Sequence, residues 1–134
     1  MSESILGALV FLKLAEISQA RQQFNQRDKF LILAGHASWE CGKRGWAECV
    51  RRMVVEQHPH HLLKHFKDWE TAEDDAEFQA FLKQLVKFCS RERGELFLEQ
   101  WQIDLDAISR ERDVTLEFLG DEILQSMLEN KEAP

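Results

Sequence analysis

Ala72-Glu-Asp-Asp-Ala-Glu-Phe-Gln-Ala-Phe-Leu-Lys-Gln-Leu-Val-Lys-Phe-Cys-Ser-Arg-Glu-Arg93 sets Phe78, Phe81, Leu82, Leu85, Phe88 and Cys89 three and four residues apart. That spacing is the period of an α-helix with one apolar face, and it does not fit the alternation of a half-buried strand. Thr71 followed by Asp74 resembles a capping box, and Gly94 punctuates the far end, so a helix is expected over 72–93.

Working outward, the same period recurs. Apolar rows at Ile5, Leu9 and Leu12 and at Leu6, Val10 and Ile17 predict a helix over 5–24. Phe30, Leu31, Leu33, Ala34, Ala37 and Cys41 predict a second over 28–41, with Gly42 and Gly45 as a turn before a third over 46–57. His58 precedes Pro59, a pairing that ends one helix and suits the first position of a short one through Phe66. Leu98, Trp101, Leu105 and Ile108 predict a helix through Arg112. Leu116, Leu119, Ile123 and Met127 predict another behind a Thr115 cap. Alternation over 101–106 and 114–118 raises a competing hairpin, but no Gly or Asn supplies its turn. The expectation is an all-α fold: a compact bundle of five to seven helices in a single domain over 1–130, with a frayed tail at 131–134. Trp39, Trp46, Trp69 and Trp101 are expected in the core or at its edge.

With 44% apolar and 31% charged residues, 6 Gly and 2 Pro, the 134-residue chain has the composition of a globular domain, not of a disordered or fibrous one. The apolar run Ile5 to Leu12 is too short to span a bilayer, and Glu3 ahead of it does not suit a secretory leader. Three Cys, namely Cys41, Cys49 and Cys89, show no CxxC spacing, which points to buried thiols in a reducing compartment and to a cytoplasmic protein. Net charge is −7, with Lys and Arg in excess over 36–67 and Asp and Glu in large excess over 68–134. Such an acidic half opposes nucleic-acid binding. The cadence of 108–127 is that of a helix-turn-helix, but Glu117, Asp121, Glu122 and Glu129 would repel phosphate.

The histidines crowd together. His61, His65 and Asp68 stand at i, i+4 and i+7, so a helix would gather two imidazoles and a carboxylate on one face, a set that holds iron or zinc. His36-Ala-Ser-Trp-Glu40 and His61-Leu-Leu-Lys-His65 resemble, in order, the HxxxE and HxxxH motifs of hemerythrin-like four-helix oxygen carriers. That resemblance implies a di-iron site, for which the family also needs His on the flanking helices. This chain has no His before His36 or after His65. A Cys41 or Cys49 thiol beside His36 or His58 would be a nucleophile with its base. No Gly-x-Ser-x-Gly elbow, phosphate loop or dinucleotide fingerprint occurs, so the reading leans away from an enzyme, and no cofactor is expected. Leu116-Glu-Phe-Leu-Gly120-Asp121-Glu122 resembles the core of the helix that apoptosis regulators lay into a groove, although Arg112 replaces its first apolar anchor.

The leading expectation is a non-enzymatic helical interaction module, binding a protein partner or forming a homo-oligomer, with neither nucleic acid nor membrane as its target. Leu116, Leu119, Ile123 and Met127 are its expected anchors, because a terminal helix has fewer neighbours to cover it. The alternative is a His-based metal protein holding iron or zinc through His61, His65 and Asp68, with His36 and Glu40 as further ligands.

Overall fold

A helix that is apolar over most of its circumference must be largely surrounded by protein, and the first helix, α1 (Ser2–Ala20), is built that way, with the partly exposed Lys13–Glu16 pair on its open side. Ala8, Leu9, Leu12 and Ala15 have no exposed surface, and Val10, Phe11 and Leu14 have almost none, so Ile5 to Leu12 is the axis of the fold. The computed structural model describes residues 2–130, and the tail expected over 131–134 lies outside them. Around α1 stand α2 (Phe24–Glu40), α6 (Arg91–Gln100), α7 (Leu105–Arg112) and α8 (Leu116–Glu129). The outer layer is α3 (Arg44–Gln57), which packs on α2 and α8, a single 3-10 turn at Leu62–His65, the one-turn α4 (Trp69–Glu73) and α5 (Ala76–Phe88). Among the described residues the bundle is all-α: seven helices of eight residues or more, together with α4, share one buried core.

Polar side chains fix the starts of α4 to α8, whereas α2 and α3 begin at Gln23 and Lys43 without a side-chain cap. Asp68, Asp75, Ser90, Asp104 and Thr115 each accept the backbone N–H three residues on, the N-cap geometry that satisfies an otherwise orphaned donor. Three of these caps break up segments expected to be continuous. The helix expected over 72–93 is α4, α5 and the start of α6, because Asp75 and Ser90 start new helices and Cys89 is extended. Gly94 is therefore no stop signal. It lies inside α6, where an added Cβ would meet Val10 at 3.0 Å and Leu14 at 3.2 Å, so its missing side chain lets α6 settle on α1. The helix expected from Leu98 through Arg112 is likewise interrupted: Gln102 takes a positive φ of 58° and Asp104 caps α7. Among the described residues there is no strand, so the hairpin competitor does not form.

Two tryptophans lock the outer layer. The Trp69 ring is fully buried against Gly35 of α2, with its backbone N–H donated to Glu48 (2.6 Å) and its indole N–H to Glu73 (2.6 Å). The Trp46 ring lies on Gly120 of α8, and its indole N–H is donated to Asp121 at 2.7 Å. The Gly-Asp pair that resembled a groove-binding motif is thus occupied within the chain. Trp39 is half-buried, as expected, whereas Trp101 is 41% exposed, because the chain leaves α6 at that residue and the ring turns outward.

Candidate functional site

The predicted metal set is dispersed. Pro59 and its neighbours form a turn and not the first turn of an α-helix, so His61 and His65 do not share a helical face. His61 instead caps the 3-10 turn, its Nδ1 accepting the Leu63 N–H at 3.1 Å, while its ring packs edge-on against Phe81. Burial pushes its imidazole below the ordinary value, partly offset by Asp28. Asp68 accepts from both the N–H and the hydroxyl of Thr71 and serves as the α4 cap. Among the described residues no three His, Cys, Asp or Glu side chains are grouped to hold a metal ion.

His36 and Glu40 do meet, and with a partner the sequence did not suggest. His36 Nδ1 lies 2.7 Å from Glu73 and Nε2 lies 3.3 Å from Glu40, so the ring bridges α2 to α4. The close contact with the Glu73 carboxylate raises the His36 pKa against the opposing effect of burial, and the charge of Glu40 raises it further. His58 pairs through Nδ1 with Asp28, which is itself buried in an ion pair with Arg27 (2.9 Å). Arg27 also donates to Gln19 (2.8 Å), whose amide donates to the Met127 carbonyl (2.9 Å), so one polar chain ties α1, α2 and α8. Among the described residues the thiols of Cys41 and Cys89 bond to backbone carbonyls and not to a base. Cys41 donates to the Ser38 carbonyl, and burial pushes the Cys49 and Cys89 thiols up, which opposes a thiolate nucleophile.

The expected anchors on α8 face inward. Leu119, Ile123 and Met127 are 4%, 7% and 1% exposed, and Leu116 is partly buried against the same core. The last helix is covered because its stripe lies on α1, the most apolar element available. Leu119, Ile123 and Met127 therefore lie in the core, and Leu116 packs at its edge.

The outward stripe belongs to α6. Arg93, Phe97 and Trp101 recur every four residues; Phe97 and Trp101 stack at 6.0 Å with an interplanar angle of 16°. The Arg93 guanidinium lies over Phe97 at 5.7 Å, and Arg21, just past the end of α1, lies over Trp101 at 5.0 Å. Exposed Leu96 flanks the ladder. Beneath Trp101 opens a cleft of about 200 Å³ walled by Leu14, Ile17, Phe30 and Phe97, with Arg21 and Gln26 at its edge. On the far side of Phe30, Phe88 packs at 5.5 Å and carries Lys29 over its ring at 4.7 Å. The acids of α6, Glu92, Glu95 and Glu99, form a separate row, and Glu95 is paired with Arg91.

This site was legible only in part. Arg93, Phe97 and Trp101 at i, i+4 and i+8 are a visible pattern, but helical spacing with Leu98 and Leu105 points Trp101 to the core or its edge. Nothing in the sequence signalled that the helix would end at Trp101 and release its ring. No protein-family model matches the chain, and neither does any curated protein or solved structure.

Proposed function

We propose that the chain is a non-enzymatic helical interaction module for a protein partner, and that the α6 stripe with Arg21 makes the contact. The observation that carries this reading is the half-open ring of Trp101, stacked between Phe97 and a guanidinium at the mouth of a cleft. Trp and Arg are the residue types that most often dominate binding energy, and a preformed stack loses little side-chain freedom on docking. Three free thiols, two of them pushed toward the protonated form by burial, suit a reducing compartment such as the cytoplasm. No helix among the described residues is long and apolar enough to cross a membrane.

The test compares wild type with Trp101→Ala, which leaves every buried side chain of α1 and α2 in place and is expected to keep a cooperative transition near the wild-type melting temperature. Proteins retained by the wild-type chain and lost by the variant support the reading. An identical set of retained proteins on both would remove the α6 stripe from consideration.

A further inference from the structure

We infer, resting on the interaction reading above, that the α6 stripe receives an acidic protein segment bearing one bulky apolar side chain, which enters the cleft beneath Trp101. Charge is the first argument. Arg21, Lys29 and Arg93 are exposed and make no ion pair among the described residues, although the chain carries 24 Asp and Glu. Their positive charge rests on aromatic faces, an attraction that leaves guanidinium N–H edges free to take a carboxylate. The acids of α6 stand on another face, so an incoming acidic segment meets no like charge along this row.

Size and surface chemistry are the second argument. A cleft of about 200 Å³ is smaller than the roughly 300 Å³ at which small-molecule sites begin, yet its apolar walls suit a single Phe or Leu anchor. Gln26 and Arg21 at the edge can meet the backbone of the segment that carries it. The rings do not suit an unpaired nucleic-acid base, which needs an open aromatic face. Phe97 and Trp101 already cover one another, and each has a guanidinium over it.

The experiment selects random peptides displayed on phage against the whole chain, then measures the selected peptides by fluorescence anisotropy. Expected are sequences with Asp or Glu flanking one bulky apolar residue, whose affinity falls with added salt and is weakened about thirtyfold by Trp101→Ala and by Arg93→Glu. Selected peptides that depend on Trp101 but carry no acidic enrichment would overturn this inference and leave the interaction reading standing. Finding no peptide that depends on Trp101 would overturn both. Tighter binding of a labelled single-stranded oligonucleotide than of any peptide would replace the acidic segment with a nucleic acid. A concentration-dependent dimer lost on Trp101→Ala would replace it with a second copy of this chain.

Discussion

Gly35 and Gly120 show how much of this fold hangs on single atoms that are absent. A Cβ on Gly35 would lie 2.5 Å from the Trp69 ring, and one on Gly120 would collide with the Trp46 ring. Neither ring is free to retreat, since Trp69 is held by Glu48 and Glu73 and Trp46 by Asp121. Gly35→Ala and Gly120→Ala are each expected to cost about 2 kcal/mol in urea denaturation, the overpacking range. Gly45→Ala is the control, because nothing lies within 4 Å of its added methyl and its backbone is helical. It is expected to be neutral or to stabilise by up to about 1 kcal/mol. Arg27 tests the opposite kind of residue. Arg27→Met leaves the buried Asp28 carboxylate with His58 as its remaining ion-pair partner and is expected to cost about 3 kcal/mol, whereas adding Asp28→Leu should restore part of the loss. If the double variant were no more stable than the single one, the ion pair would not be the source of the cost.

Between elements, the His36 bridge makes the α2–α4 contact depend on pH. The raised His36 pKa means that its contribution is complete below the ordinary value of 6.5 and is lost as pH rises through the folded value. Burial pushes Glu73 up, but the contact and charge of His36, with hydrogen bonds from Gln79 and Trp69, bring it below its ordinary 4.5. Its contribution is therefore complete above 4.5 and fades as pH falls through the lowered value, so the pair is strongest between those two ordinary values. His61 has the opposite sign, since its lowered pKa withdraws stability on acidification. The informative quantity is the difference in urea midpoint between wild type and His36→Gln, which should shrink from about pH 5.5 to about pH 8. A difference that stays constant across that range would show that the His36 charge does not support the bridge.

Helix identity was readable from the sequence at this scale, while helix ends were not. Apolar period alone merged α4, α5 and α6, because Asp75 and Ser90 sit at positions where a polar residue is equally at home on the solvent side of one long helix. A cap differs from a surface residue only in its backbone angles, and those are fixed by tertiary contacts such as Trp69 on Gly35. The His cluster failed for a related reason. Reading His61, His65 and Asp68 at α-helical spacing presumed a helix that the 3-10 turn replaces, and one residue of altered pitch is enough to scatter the side chains.

Across the whole molecule, the order of the helices explains why the last one is indispensable and the sixth is free to serve another surface. α1 is apolar over most of its circumference, so each neighbour must contribute a cover, and α8 supplies one through Leu119, Leu124 and Met127 while Gln19 donates to the Met127 carbonyl. Ending the chain after residue 115 would uncover that side of α1 and leave the Trp46 ring without Gly120 and Asp121. Burial of apolar surface is worth roughly 25 cal/mol per Å², and the net stability of a domain this size is only about 5–15 kcal/mol, so losing a whole helical face exceeds what the fold can spare. The truncated chain is expected to keep partial helical ellipticity, to bind an apolar dye and to lose its cooperative urea transition. Leu119→Lys should behave in the same way, for it places an ammonium in that contact. Trp101→Ala changes a half-exposed ring at the end of α6 and should keep a cooperative transition with a midpoint close to that of the wild type. A truncated chain that melted cooperatively near the wild-type midpoint would mean that α1 is adequately covered by α2, α6 and α7. In that case α8, and not α6, would be the helix available to a partner.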